Sequence, residues 1–217
     1  MKAMVLAAGR GERLRPLTDR VPKPLLEVAG RPLIVHHLLG LAAAGIEEIV
    51  VNVAHLAERI TAALGDGSAY GVRVHYSHES PSALDTGGGI KQALPLLGAA
   101  PFAVINADVY AAFDYAGLLD GLPADADARL WLVPNPPHHP RGDFGLQQER
   151  VVDAQPRRTF AGIGVYRPAL FVGHSGRFPL TLVLAPAIAQ GRVAGRMFKG
   201  RWYDVGRPDT LRALGKR

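Results

Sequence analysis

The chain has 217 residues, with 25 Lys and Arg against 19 Asp and Glu, a formal net charge of +6, and no cysteine. Without a thiol, a disulfide framework, a zinc–thiolate centre and a cysteine nucleophile are all excluded. The hydrophobic share of 48% against 20% charged is that of a folded domain, and the length suits one domain with a sizeable core.

The opening stretch, residues 1–13, carries an apolar run too short to span a membrane and lacks the small-residue cleavage pattern of a signal peptide. A cytoplasmic protein is the expectation. The basic residues are dispersed and never form a run of five or six, and the 7% of aromatics do not interleave with them. No nucleic-acid or membrane partner is therefore expected, and an anionic small molecule is left as the partner class.

In chain order, Met1 to Leu6 reads as a buried strand running into a glycine loop. Pro32 to Ala44 places Leu33, Ile34, His37, Leu38 and Leu41 at helical spacing, with Gly45 as the stop. Glu48 to Val53 is a strand rich in β-branched residues, Leu56 to Leu64 a helix closed by Gly65, and Val72 to Ser77 a third strand. Ile90 to Leu97 reads as a helix that follows a glycine run, and Phe102 to Asn106 as a fourth strand. Strand alternating with helix predicts an α/β, Rossmann-like fold with a mostly parallel (mixed) central sheet flanked by helices. Farther along, Ala128 to Val133 and Phe160 to Tyr166 are predicted strands. Pro134 to Pro140, with four prolines, is a rigid loop. With no repeat and no linker, residues 1–217 read as a single domain.

Four motifs carry chemistry. In Leu6-Ala7-Ala8-Gly9-Arg10-Gly11-Glu12-Arg13-Leu14 a strand delivers the chain into a loop whose glycines let backbone N–H groups approach phosphate oxygens. Arg13 adds a forked cation, and Lys23, between Pro22 and Pro24, a cation on a stiff backbone. It is neither the dinucleotide G-x-G-x-x-G, since Leu14 stands at the third glycine, nor a P-loop. In Asp85-Thr86-Gly87-Gly88-Gly89-Ile90 three glycines precede the predicted helix, where free N–H groups attract anions or base carbonyls. In Asn106-Ala107-Asp108 a carboxylate ends a buried strand, the place where open α/β sheets put ligand chemistry, and it is a hard oxygen donor suited to Mg²⁺. Trp202-Tyr203-Asp204-Val205-Gly206-Arg207-Pro208 offers a second aspartate; standing alone, that string reads as a turn and a helix start.

The first motif, with Pro22-Lys23-Pro24-Leu25, resembles the signature of the sugar-1-phosphate nucleotidyltransferases, and the likeness extends over nearly the whole chain. The resemblance implies a nucleotidyltransferase (glycosyltransferase-A-like) fold, with a nucleotide-binding half over about 1–110 and a sugar-binding half over about 111–217. Its implied nucleotide-binding residues are Leu6, Ala7, Ala8, Gly9, Gly11, Arg13, Lys23, Glu79, Thr86, Gly87 and Gly88. Arg13, Lys23 and Asp108 would be catalytic, and Asp108 with Asp204 would hold Mg²⁺ as the cofactor. Asn106, Asp143, Gly145, Gly162 and Trp202 would face the sugar, Asp143 within Gly-Asp-Phe-Gly and Gly162 within a Thr-Phe-x-Gly-Ile-Gly-Val-Tyr strand. The family usually has Gly-Asp where this chain has Ala107-Asp108, a departure of one methyl. The Thr-Gly-Gly-Gly string, the Trp-x-Asp-Val-Gly-x-Pro ending and the short chain resemble the branch that transfers uridylyl to an N-acetylmuramate-1-phosphate. UTP and a sugar-1-phosphate are thus the expected partners, with a monomer as the expected state because no assembly domain follows. Guanylyl transfer to mannose-1-phosphate and thymidylyl or uridylyl transfer to glucose-1-phosphate are the neighbouring alternatives. A nucleotide-sensing module without catalysis is the alternative of another class. His138 and His139, adjacent on the proline loop, are expected to point apart at the surface, and His36 and His37 to pack within a helix.

Overall fold

The computed structural model describes residues 1–214, so Lys216 lies outside the described residues. Its strands are β1 (Ala3–Leu6), β2 (Glu27–Val28), β3 (Arg31–Pro32), β4 (Glu48–Val53), β5 (Arg73–His78), β6 (Phe102–Asn106) and β7 (Val109–Ala111). They continue with β8 (Ala128–Val133), β9 (Phe144–Gln147), β10 (Arg150–Val152), β11 (Arg157–Tyr166), β12 (Val193–Met197) and β13 (Trp202–Asp204). The helices are α1 (Leu33–Ala43), α2 (Ala57–Leu64), α3 (Asp85–Leu97), α4 (Thr181–Ala189) and α5 (Pro208–Leu214).

Nine strands form one sheet in the order β5-β4-β1-β6-β11-β8-β12-β10-β9. The β5-β4-β1-β6 part is parallel, as strand–helix alternation dictates. Strand β11 then runs antiparallel between β6 and β8. Strand β9 also pairs with the start of β11, so the second half of the sheet curls back on itself. The mixed sheet expected from the sequence is present, with strands from both halves of the chain.

Helices cover both faces, which is why β1, β4 and β6 are apolar along their length rather than alternating. On one face Ile34, Leu38 and Leu41 of α1 and Ile60 and Leu64 of α2 pack on Val5, Ile49, Val51 and Ile105. On the other, Ile90, Ala93 and Leu97 of α3 and Val183, Leu184 and Ala187 of α4 pack on Met4, Val50, Val104 and Leu130. A third cluster joins Leu14, Leu26, Val28 and Leu33 to Val205 and Leu214. It pins the loop after β1 beside the segment that carries Asp204.

The predicted first-half elements appear within a residue or two, with one exception. The glycine run is not a loop ahead of a helix at Ile90; α3 already begins at Asp85 and contains Gly87, Gly88 and Gly89. Intrinsic propensity disfavours that, since each glycine costs a helix roughly 1 kcal/mol relative to alanine. Packing reverses the balance. A Cβ on Gly87 would lie 2.5 Å from the Phe178 ring, one on Gly88 2.4 Å from the Gly176 carbonyl, and one on Gly89 2.4 Å from Oε1 of Glu79. The helix start is pressed too closely on its surroundings for any side chain.

Candidate active site

The carboxyl ends of β1, β4 and β6 open into a cavity of about 220 Å³. Leu6, Ala7, Ala8 and Gly9 form its floor, Glu79, Asp85 and Thr86 one wall, and Lys23, Asn106 and Asp108 the other. Gly9 faces open space, with nothing within 4 Å of where a Cβ would stand. Asp85 enters α3 with φ 64°, a left-handed conformation that Asp tolerates better than most residues.

Behind this cavity runs a chain of hydrogen bonds. The Ala7 N–H donates to Oδ1 of Asn52 at 2.8 Å, Nδ2 of Asn52 donates to Oε1 of Glu79 at 2.7 Å, and the Leu84 N–H donates to Oε2 of Glu79 at 2.6 Å. Asn52 and Glu79 are both buried. Glu79 thus reaches the cavity wall, but its two oxygens already brace the β1 loop against the approach to α3. Sequence reasoning missed Asn52; its one signal was a polar residue inside the otherwise apolar Val50-Val51-Asn52-Val53.

A second cavity, of about 300 Å³, adjoins the first, and Asn106 and Asp108 line both. Its other walls come from β11 (Thr159, Phe160, Gly162), from β13 (Trp202, Asp204) and from Arg13, Arg207, His138, His139 and Asp143. The β7–β13 ladder sets Asp204 opposite Val109, and the Val205 N–H donates to the Asp108 carbonyl at 2.9 Å. Two aspartates 96 positions apart are thereby locked at one mouth. Gly162 has φ 73°, and a Cβ there would sit 2.9 Å from Nδ2 of Asn106; the strand irregularity at this point lets Asn106 lie flat against β11. Trp202 is fixed by its indole N–H donating to the Ala161 carbonyl at 2.9 Å.

Lys23 sits where the cavities meet. It is buried, begins a single 3-10 turn after Pro22, and its Nζ lies 2.5 Å from Oδ2 of Asp108. Asp143 has its oxygens engaged, Oδ2 by the Phe160 N–H at 2.7 Å and Oδ1 by Nε2 of His139 at 3.0 Å. His138 stands 3.6 Å from Asp204.

Family resemblance implies a magnesium ion, and the donor set can be weighed directly. Asp108 and Asp204 bring two carboxylates to one mouth. Among the described residues no cluster of three or more His, Cys, Asp or Glu forms a protein cage. One or two carboxylates completed by substrate phosphates and water is the donor set Mg²⁺ favours, so the residues fit the ion.

The nucleotidyl transferase family profile matches residues 2–154. The chain belongs to this family. It is 52% identical over 215 residues to the N-acetylmuramate alpha-1-phosphate uridylyltransferase of Neisseria meningitidis, covering 95% of this chain and 93% of that protein. A protein of the same name from Caulobacter vibrioides is 37% identical over 231 residues, covering 99% of this chain and 96% of that one. The fold matches a Bacillus anthracis structure described as a glucose-1-phosphate thymidylyltransferase, with TM-score 0.87 at 20% identity over 100% of this chain and 94% of that one. The family resemblance and the fold read from the sequence are thereby met.

Within this nucleotidyl transferase, the structure sorts the residues singled out beforehand. Leu6, Ala7, Ala8, Gly9, Lys23, Glu79, Thr86, Asn106 and Asp108 gather at the first cavity, and Asn106, Asp108, Asp143, Gly162, Trp202 and Asp204 at the second. Arg13, expected at the nucleotide, instead lines the second cavity beside Gly206 and Asp204. Gly11 lines neither; it packs on Thr18 and Lys23, which sets the lysine's backbone. Gly87 and Gly88 line neither either, being buried against the 176–178 segment. Gly145 lies inside β9, where a Cβ would meet the Ala154 carbonyl at 2.4 Å. His138 and His139, expected at the surface, both turn into the second cavity because Asp204 and Asp143 draw them there. His36 and His37 pack as expected: His36 bonds the Val28 carbonyl, and buried His37 bonds the Tyr115 hydroxyl at 2.7 Å.

Proposed function

We propose that this chain transfers a uridylyl group from UTP to N-acetylmuramate α-1-phosphate, releasing pyrophosphate and forming the UDP-sugar in a cytoplasmic recycling step of cell-wall synthesis. The carrying observation is the junction: two cavities share Asn106 and Asp108, with Lys23 set on the boundary. A nucleotide in the first and a sugar phosphate in the second would meet there. The 52% identity to a uridylyltransferase of this specificity, over 93% of its length, supports the base and the sugar.

The nucleophile is a phosphate oxygen, already anionic at neutral pH, and it attacks the α-phosphorus while pyrophosphate leaves in line. No strong general base is required, so the work is positioning and charge neutralisation. Lys23 exchanges Asp108 for phosphate oxygens as the nucleotide enters. Gly9 offers its exposed backbone to the triphosphate. Arg13, beside the second cavity, holds the phosphate of the sugar. Asp108 and Asp204 would hold Mg²⁺, which when bound would supply charge withdrawal at the α-phosphate. Asn106, held by Gly162, and Trp202, held by Ala161, shape the floor under the hexose. The lactyl carboxylate of the sugar falls to Arg207, which lines the second cavity.

The test is a pyrophosphate-release assay crossing UTP, GTP, dTTP and CTP with N-acetylmuramate-, N-acetylglucosamine-, glucose- and mannose-1-phosphate, with and without Mg²⁺. The expected result is fastest release with UTP and the lactyl sugar, dependent on the metal. A preference for GTP with mannose-1-phosphate overturns the specificity, and no release with any pair overturns catalysis.

A further inference from the structure

Far from the catalytic junction, three arginines share one face of the curled half of the sheet. Arg129 is the second residue of β8, four positions before Val133, which pairs with cavity residue Thr159. In register across the strands, Arg129 stands beside Ala194 of β12, and Ala194 beside Arg150 of β10. Residues aligned across a sheet project to the same side, and so do residues two apart on one strand. Arg129, Arg150 and Arg196 therefore project to the face away from Leu130, Val151 and Val193, which belong to the core beneath α3 and α4. Arg129 and Arg150 are separated by two strand spacings, roughly 9–10 Å. Only the methyl of Ala194 stands between them.

The result is a cavity of about 100 Å³ lined by the three arginines, Ala194, Gly195, Pro123 and the turn of β9–β10. Arg150 is tied to Asp125 at 2.5 Å and Arg196 to Asp120 at 2.5 Å, both at the exposed rim. Arg129 is different. It is only 7% exposed, it has no acidic partner within ion-pair distance among the described residues, and its Nη1 is buried without a hydrogen-bond partner. Nη1 of Arg150 is orphaned in the same way. Burial and the neighbouring Arg196 both work against the charge on Arg129, while Asp120 and Glu149, the latter also lining the cavity, favour it. A buried guanidinium with unused donors is costly unless something accepts from it.

We propose that this cavity is a second oxyanion site, which takes the phosphoryl group of a small phosphorylated molecule. Arg129 and Arg150 flank the cavity on either side of Ala194, and Arg196 closes a third side. A tetrahedral oxyanion can accept from several directions at once, whereas a planar carboxylate is satisfied by one fork. The site stands apart from the transferase reading and does not depend on it.

Isothermal titration of the full chain with pyrophosphate at low salt separates this site from the catalytic one. The wild type should bind two equivalents. The Arg13→Ala, Lys23→Ala double variant, which strips phosphate cations from the catalytic junction, should keep one. Arg129→Met should lose that one, with affinity there falling at least tenfold. Should Arg129→Met fail to fold, the Arg150→Gln, Arg196→Gln double variant gives the same readout from partly exposed positions. Inorganic phosphate should bind the same site, and malonate, a dicarboxylate of similar span, at least tenfold more weakly. A junction variant that binds no pyrophosphate, or Arg129→Met binding two equivalents like wild type, overturns the site. Malonate binding as tightly as pyrophosphate overturns the phosphoryl class.

Discussion

Nζ of Lys23 and Oδ2 of Asp108 lie 2.5 Å apart, joining residues 85 positions distant at the boundary of two cavities. The lysine is buried and the aspartate side chain is 35% exposed, so the pair is lopsided. Losing the lysine leaves a carboxylate that water can still reach, and the fold should survive the loss. Turnover should not. A preorganised cation aimed at developing phosphate charge is worth on the order of 10²–10³ in rate. Lys23→Ala should therefore lose at least about 100-fold in kcat in the pyrophosphate-release assay with an unchanged circular dichroism spectrum, and near-normal kcat in the pure variant would remove Lys23 from the mechanism.

Asp204 is held next to Asp108 by the β7–β13 ladder rather than by any contact of its own with Lys23. Asp204→Asn keeps the shape and removes one charge from the proposed ion site. The Mg²⁺ concentration for half-maximal rate should rise at least tenfold, with the nucleotide KM at saturating metal changed far less. Chelation of the metal should stop turnover in the wild type. An unchanged metal requirement in the variant argues that Asp204 is not a ligand.

The glycines of α3 offer a prediction in which two effects oppose. Alanine at an exposed helix position gains roughly 1 kcal/mol over glycine, but forcing atoms into a packed interface costs roughly 1–3 kcal/mol. At Gly87 the added methyl meets the Phe178 ring and its carbonyl, neither of which yields easily. Gly87→Ala should lose about 1–2 kcal/mol in urea unfolding while KM for UTP stays within about twofold. Gly89→Ala strikes Glu79 and Asn52, so it should raise that KM as well. Net stabilisation of both variants would show that the helix start is not so tightly pressed.

His37 gives a pH dependence. Its burial holds the imidazole down at about 4, against an ordinary value of 6.5. The folded protein keeps this ring neutral, whereas below 6.5 the unfolded chain takes up the proton. The stability it supports is full above pH 6.5 and is lost as pH falls toward 4, by up to about 3 kcal/mol. His37→Gln, which can still reach the Tyr115 hydroxyl, should flatten that part of a stability–pH curve from urea unfolding. A variant curve parallel to wild type between pH 4 and 6.5 would contradict the assignment.

Arg207 faces the second cavity and has no ion-pair partner among the described residues, whereas His139 is held by Asp143. The free cation is the better match for an added substrate carboxylate. Arg207→Ala should raise KM for N-acetylmuramate α-1-phosphate at least tenfold and change KM for N-acetylglucosamine-1-phosphate by less than threefold. Equal losses on both sugars would assign Arg207 to the shared phosphate instead.

The legible part of the fold was the part governed by local pattern. β1, β4 and β6 are short apolar runs and β5 an alternating one, set between helices with clear stops, and parallel crossover geometry admits few other arrangements. The antiparallel half resisted because β9, β10 and β13 are only three or four residues long and gain their order from partners far away. α4 is apolar almost all round and holds Pro186, so no periodicity marks it. At the site, Leu6 to Gly9 and Lys23, which line the first cavity, could be named because they belong to one short stretch of sequence. The inward turn of His138 and His139 could not, since it is set by aspartates 66 and four residues ahead in the chain. Nor could the helical state of the glycine run, since the Phe178 loop that enforces it is about 90 residues away.

The seam between β6 and β11 divides the linings of the two cavities by stretch of chain. Asn106 and Asp108 line both cavities, yet apart from Arg13 and Val109 every residue that lines the second alone lies after position 134, on a loop and strands that reach β6 through backbone pairing and Gly162. A graft of residues 134–162 from a relative of different sugar preference would replace none of the residues that line the first cavity. On the proposed reading Arg13, Trp202, Asp204 and Arg207 stay with the recipient, so chimeras cut at this seam would divide acceptor choice between the grafted loop and strand and the recipient's frame around them.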